Sequence, residues 1–422
     1  MPLRILHASR IGPNAVDRSN WKRIPAGVWA LGWVSLFMDF GSELVHSLLP
    51  LLLAGPLGAS AFAIGLIEGA AEGLVLVTKL FSGYASDATG RRKSLVVFGY
   101  GLAAVVKPVF PLASSLGWVV SARMLDRFGK GIRGAPRDAL MGDIVPSDLR
   151  GAAFGLRQSM DTIGAVIGPL CAVGLMFAFH DDIRHVLWFA VIPSLIAVFI
   201  LVRFVREPER RPAERRARLP ISRAGLSVLG RRYWHVVFVG ALLALARFSE
   251  AFLILRTDQL GLATTYAPFV LVVMSIVYSL SAYPAGVLSD RLGRRGILVV
   301  GLAVLVAADV VLARAGSPGV AFVGIALWGL HMGLTQGVMS AFIADHAPAQ
   351  YRGTAFGVFS LVSGAGLLLA SAGAGALWEW QGSPVTFLVG AVLAAACMVA
   401  TLALPRAGAA NAEARREGGL PS

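Results

Sequence analysis

Charge is scarce in this sequence, and cysteine is scarcer still. Of 422 residues only 15% are Asp, Glu, Lys or Arg, where a soluble domain carries about 25%. Just two cysteines occur, Cys171 and Cys397, both inside apolar runs. That excludes a disulfide framework and a cysteine-based metal site, and both read as small buried hydrophobes. No metal-ligand cluster and no nucleophile–base arrangement stands out, so neither an enzyme nor a resident cofactor or metal is expected. The phosphate-binding pattern G-x-x-x-x-G-K-[ST] is missing, which argues against a self-contained ATP-driven pump. Acidic residues number 24 against 38 Lys and Arg, for a net charge of +14. The basic residues lack the aromatic interleaving of a nucleic-acid surface, so no nucleic-acid partner is expected. The opening stretch "MPLRILHASRIGPNAVDRSNWKR" lacks an apolar core with a small-residue cleavage site, and reads as a cytoplasmic tail rather than a signal peptide.

What the chain has instead is hydrocarbon. Apolar residues make up 56% of it, and the mean hydropathy is +0.70. Windows of about 20 apolar residues, each enough to cross roughly 30 Å of bilayer, recur along almost the whole length. The pattern predicts helices near 27–53, 61–83, 94–114, 117–141, 152–178 and 186–204, then 234–258, 264–286, 296–314, 318–342, 353–377 and 384–404. Residues 1–24 and 405–422 are the tails, 25–204 and 233–404 the two helical halves, and 205–232 an Arg-rich linker that cannot bury a core. Positive charge gathers in alternate connections: "GRRK" (90–93), the linker, "DRLGRR" (290–295) and "YRG" (351–353). The intervening "AGPLGAS" (54–60) and "QLGLA" (259–263) hold none, and "FHDDIRH" (179–185) holds one Arg. That asymmetry places the basic loops and both termini in the cytoplasm of a bacterial-type inner membrane.

The halves repeat. "GYASDATGRRK" (83–93) matches "GVLSDRLGRRG" (286–296), and "GDIVPSDLRGAAFG" (142–155) matches "ADHAPAQYRGTAFG" (344–357). Two motifs recurring at nearly one offset indicate two six-helix halves of like fold. Gly83, Asp87, Gly90, Arg91 and Arg92, repeated as Gly286, Asp290, Gly293, Arg294 and Arg295, resemble the signature loop of the major facilitator superfamily of secondary transporters. "GAVIGPLCA" (164–172), with Gly164, Gly168 and Pro169, is similar to the fifth-helix motif of its antiporter members. The resemblance implies an all-α membrane protein of twelve transmembrane helices in two pseudo-symmetric six-helix bundles. It also implies that Asp87 faces the start of the eleventh helix near Gly353, and Asp290 the start of the fifth near Gly151, as latches broken in one transport state. Ala88 stands where the family usually has a basic residue.

Physically, Gly83 permits close helix approach, Gly90 suits a turn with positive φ, and a carboxylate such as Asp87 is stabilised near a helix N-terminus. Gly164 and Gly168 share a helix face fit for tight packing, and Pro169 removes an intrahelical hydrogen bond.

The stretch "RMLDRFGKGIRGAPRDAL" (123–140) is the anomaly. Arg123, Asp126, Arg127, Lys130, Arg133, Arg137 and Asp138 fall on one arc of roughly 140° of a helix. Charge at that density inside a membrane lines a protein interior or an aqueous cavity, with opposite signs paired. Ser35, Asp39, Glu43 and His46 share a face of the first helix, Glu68, Glu72 and Lys79 one of the second, and Arg157 and Asp161 lie a turn apart on the fifth. In the resembled fold the first, fourth, seventh and tenth helices line the cavity, so the acidic first helix is expected to meet the basic fourth. Arg127, Lys130 and Gly131 resemble the family's R-x-x-Q-G pattern, with Lys130 in place of Gln, and imply a proton-carrying Asp39 or Glu43. Arg133 to Asp138 are expected to pair with the loop motif or Asp143. From the second half, Arg247 and Glu250 are cavity candidates; His331 reads as a hydrogen-bonded core residue, and Asp309 and Arg314 as solvated near an outer end.

The implied activity is export of small organic molecules by alternating access, with protons as coupling ion, by a monomer in the bilayer. One alternative is an importer or exchanger of an anionic metabolite held by Arg123, Arg127, Lys130 and Lys107. A non-transporting receptor or scaffold of the same fold is the other.

Overall fold

Two local signals bound the second helix. At its start the Ser60 side chain accepts a hydrogen bond from the Ala63 amide, and at its end Gly90 adopts φ 67°, a conformation that glycine holds without steric cost. Gly293 takes the equivalent turn in the second half with φ 87°. The computed structural model describes residues 23–146, 149–208, 226, 228–347 and 351–403. The N-terminal tail up to residue 22, most of the 205–232 linker and the C-terminal tail lie outside the described residues.

Among the described residues twelve spans follow in order: α1 (Ala26–Ala54), α2 (Ala61–Thr89), α3 (Arg92–Leu112), α4 (Leu116–Ile144), α5 (Arg150–Ala178), α6 (Ile183–Phe204), α7 (Arg231–Gln259), α8 (Phe269–Leu292), α9 (Arg294–Arg314), α10 (Pro318–His346), α11 (Arg352–Gln381) and α12 (Ser383–Leu402). Eleven are long and apolar enough to cross a membrane unaided. The exception is α4, whose charged arc lowers its hydropathy. A 29-residue helix such as α2 is about 43 Å long, so its basic end projects beyond the hydrocarbon. This is why α2 runs past residue 83 and carries Asp87 in its last turn rather than in a loop.

The repeat seen in the sequence is a repeat of contacts. Within the first half α1 packs on α5 and α6, α2 on α4, and α3 on α4 and α6; within the second, α7 packs on α11 and α12, α8 on α10, and α9 on α10 and α12. Each pairing maps onto its counterpart by adding six to the helix number. The halves meet through α2 against α11 and α5 against α8. Along α2–α11 the approach is close: a Cβ at Gly69 would lie 2.9 Å from the Leu368 Cα, and one at Gly364 would lie 3.4 Å from the Gly73 Cα.

Burial is uneven along the membrane normal. At the end away from the basic loops, a single apolar core crosses both halves, joining Leu48, Phe110 and Met176 to Phe252, Trp328 and Phe387. At the basic end each half has its own core, one around Val34, Tyr100 and Leu156, the other around Tyr233, Leu298 and Ile343. The polar links between halves also gather at the far end: Thr265 Oγ1 donates to Asp181 Oδ1 at 2.5 Å, and the Phe62 amide to Glu379 Oε1 at 2.7 Å. Among the described residues the two bundles therefore share one core at one end and have separate cores at the other. In the same far-end turn His185 donates to Asp182 at 2.6 Å, and that hydrogen bond holds the Asp182 carboxyl below the usual range.

Candidate functional site

Between the halves lies a polar cavity in two adjoining lobes. One, of about 280 Å³, is lined by Asp39, Lys130, Asp161, Tyr278 and Ser279 among others. The other, of about 350 Å³, is lined by His46, Glu72, Arg127, Arg247 and Gln336. Glu43, Lys130 and Glu250 belong to both walls. Such volumes suit small organic ligands. Met274 and Met332 supply apolar surface, and Tyr278 donates to Gln336 at 3.3 Å across α8 and α10.

Asp39 and Glu43 of α1 line the same wall as Lys130 of α4, and α2 supplies the ion-pair partners of Arg123 and Arg127. Arg123 meets Glu68 at 2.5 Å and Arg127 meets Glu72 at 3.3 Å, the arginines and Glu68 each 1% exposed. Asp126 binds Lys107 of α3 at 2.8 Å, and Lys107 also donates to Ser42 at 3.2 Å. Glu68, Arg123, Asp126 and Lys107 thus come in contacting pairs, the condition under which charge is tolerated away from water. Lys107 and Arg123, offered above as anion ligands, are occupied in this framework, as is Asp126. On α1, His46 donates to Glu43 at 3.2 Å and lies 3.6 Å from Glu68.

Nearer the basic end, Arg133 stacks over Tyr100 at 4.4 Å, and Arg137 donates to Ser35 and Tyr100 at 3.3 Å. The expected pairing of Arg133 to Asp138 with the loop motif is not what forms: Arg92 of that motif instead reaches Asp143 at 2.7 Å and Asp87 at 3.1 Å. Asp87 is thus engaged within its own half. Glu207, from the first residues of the linker, caps α3 by accepting from the Arg92 and Lys93 amides. Arg157 and Asp161 pair at 2.6 Å, and Asp161 and Asp39 line the same lobe. Arg294 pairs with Asp345 at 2.7 Å, and Arg91 is exposed; the Asp290 side chain and the surroundings of Gly353 lie outside the described residues.

The glycines divide by location. A Cβ at Gly83 would lie 3.3 Å from the Ala135 Cβ, whereas Gly286 faces open space. Gly164 and Gly168 abut the α1 backbone, where a Cβ at Gly168 would lie 2.5 Å from the Phe40 carbonyl oxygen. Pro169 is buried within α5.

Two features were not foreseen. The span α7 is interrupted at residues 247–250, between Arg231–Ala246 and Ala251–Gln259. The break places Arg247, Phe248, Ser249 and Glu250 in the wall of the larger lobe. Non-helical backbone at membrane depth persists where it lines a cavity and finds partners; here the Ser249 amide donates to Ser371 Oγ at 3.1 Å. Asp309, read as solvated, is instead 0% exposed, with neither carboxyl oxygen hydrogen-bonded. It fits beside Gly390 of α12, where a Cβ would lie 2.8 Å from Asp309 Oδ2. His331 is buried with Nδ1 2.8 Å from the Gly301 carbonyl, and Arg314 is exposed.

Twelve spans in two repeated bundles, closed over a charged cavity at one end, define the class of helical secondary transporters. The family model of the Major Facilitator Superfamily matches residues 31–276 and 236–421, and the chain belongs to that family. An MFS-type transporter of Methanocaldococcus jannaschii is 30% identical over 384 residues, 90% of this chain and 94% of that protein. Multidrug resistance protein MdtG of Salmonella arizonae is 27% identical over 304 residues, 68% of this chain and 72% of its own. Among solved structures, the nucleoside transporter NupG superposes with a TM-score of 0.74 at 13% identity, covering 90% of this chain and 99% of that one; that likeness is one of fold.

Proposed function

We propose that this protein is a proton-coupled exporter of small organic molecules that works as a monomer by alternating access, its basic end facing the cytoplasm of a bacterial-type inner membrane. The observation that carries this reading is the uneven sealing of the halves: one shared core at the far end, and two separate cores flanking the polar cavity at the basic end. A rocking motion of two bundles about a midplane site interconverts this arrangement with its mirror.

Asp39 is the proton carrier in this account. Asp39 and Asp161 line the same cavity wall, and two neighbouring carboxyl groups favour holding one proton between them, while Glu43 is held by His46. In this arrangement Asp87 bonds to Arg92 within its own half, and breaking that pair would free it for the proposed latch with the start of α11. Export draws support from the fifth-helix Gly164, Gly168 and Pro169 packing and from the likeness to a multidrug resistance protein. The test compares intracellular and extracellular metabolites of cells with and without the protein. A compound depleted inside producing cells, and no longer depleted with Asp39→Asn, supports export; unchanged pools in a correctly inserted wild-type protein refute it.

A further inference from the structure

Among the described residues, the charges that line the cavity do not all have ion-pair partners. Glu43 pairs with His46, Glu72 with Arg127 and Asp161 with Arg157. Among the described residues Lys130 and Arg247 have no carboxylate within ion-pair distance, and Glu250 and Asp39 have no cation within it. With Asp39 in its proton-released form, the state in which an exporter exchanging against protons takes up cargo, two cations and two anions are left facing the cavity. Each sign comes from both halves: Lys130 and Asp39 from α4 and α1, Arg247 and Glu250 from the break in α7. A second observation points to a ligand at the same place. Arg127 is 1% exposed and its Nη2 has no hydrogen-bond partner, although it stands in the wall of the larger lobe.

This balance decides between substrate classes. A simple anion satisfying Lys130 and Arg127 would face Glu250 and Asp39; a simple cation satisfying those carboxylates would face Lys130 and Arg247. Either leaves like charges opposed in a confined space, which is costly. A molecule carrying both signs meets both sets. We infer that the preferred cargo is a small dipolar organic ion, with an acidic group bound by Arg127 and Lys130 and a cationic group bound near Glu250 and Asp39. The inference rests on the transport reading above and adds the chemical class of its substrate. Such a cargo also bridges the halves, because its acidic end is held by the first bundle and its cationic end reaches the α7 break of the second.

The test reconstitutes the purified full chain in liposomes and incubates them with a small-molecule extract of bacterial cells under a pH gradient of either sign. Vesicle contents are then compared with those of protein-free vesicles by mass spectrometry. The expected result is enrichment of compounds bearing both an acidic and a basic group. Lys130→Gln should cut that enrichment by about tenfold or more, the effect of losing a charge-assisted contact, and Lys130→Arg should restore part of it. Glu250→Gln serves as the second variant if Lys130→Gln fails to elute as a folded monomer. Enrichment confined to net cations, net anions or uncharged compounds overturns the inference while leaving transport standing, as does unaltered dipolar enrichment in both variants. No enrichment of any compound by folded wild-type protein removes the transport reading, and the inference with it.

Discussion

Glu68 of α2 and Arg123 of α4 meet at 2.5 Å, both 1% exposed. The pair fastens two helices in the first half and answers the cost of burying an arginine in a membrane span. Removing one partner leaves the other charged and buried, a loss of about 3–5 kcal/mol. Arg123→Ala should therefore lower the thermal stability of the purified protein sharply. Combining it with Glu68→Leu should recover much of the loss. Unfolding at the wild-type temperature for the single variant would show that the pair is dispensable.

Thr265 and Asp181 join the two halves at the far end through a 2.5 Å hydrogen bond. A hydrogen bond to a charged group contributes about 1.5–3 kcal/mol, and this one exists only while that end is closed. Thr265→Val keeps the shape and removes the donor. It should shift the population toward the arrangement open at the far end, read as faster spin-label or thiol reaction at Met274→Cys from that side. Equal reaction in both proteins would mean that the bond is not a lock.

At Gly69 a side chain has nowhere to go, because a Cβ would lie 2.9 Å from the Leu368 Cα of α11. Overpacking at a rigid contact costs about 1–3 kcal/mol. Gly69→Val should insert normally yet separate α2 from α11 and abolish transport. Gly286→Ala, facing open space in this conformation, should leave stability near wild type. Full transport by Gly69→Val would contradict the close α2–α11 contact.

Among the described residues Asp309 has no cation and no hydrogen-bond partner in its pocket. A buried polar group in that condition costs about 1–3 kcal/mol relative to a satisfied or apolar one. Asp309→Leu should therefore raise the apparent melting temperature in detergent; a clear fall would mean that the carboxyl is stabilised by contacts absent from this conformation.

The fold was legible because the signals that specify it are local and periodic. Apolar windows give the spans, alternating basic loops give their order across the bilayer, and Gly90 and Gly293 each mark a turn by needing positive φ. The charged arc of α4 was legible for the same reason, since seven ionisable residues on one helix face stand out against hydrocarbon. Their partners were not. Helical spacing shows that Arg123 and Arg127 point one way but not which neighbour they meet, and Glu68 and Glu72 of α2 compete on equal terms with Asp39 and Glu43 of α1. The α7 break carries no Gly or Pro, and the partner of its Ser249 amide is Ser371 of α11, which no local pattern encodes. Asp309 was misplaced because the depth of a residue along a helix does not reveal whether its face meets water or Gly390.

The most direct test of two bundles sealed at one end over an aqueous cavity uses Ser279, in the wall of the smaller lobe. Ser279→Cys is made in a chain whose Cys171 and Cys397 are replaced by alanine, and a membrane-impermeant maleimide is applied to right-side-out and inside-out vesicles. The expected result is rapid labelling from the side bearing the basic loops and protection from the other. Labelling from the far side alone, or reaction only with a lipid-soluble reagent, would contradict the cavity and its direction of opening.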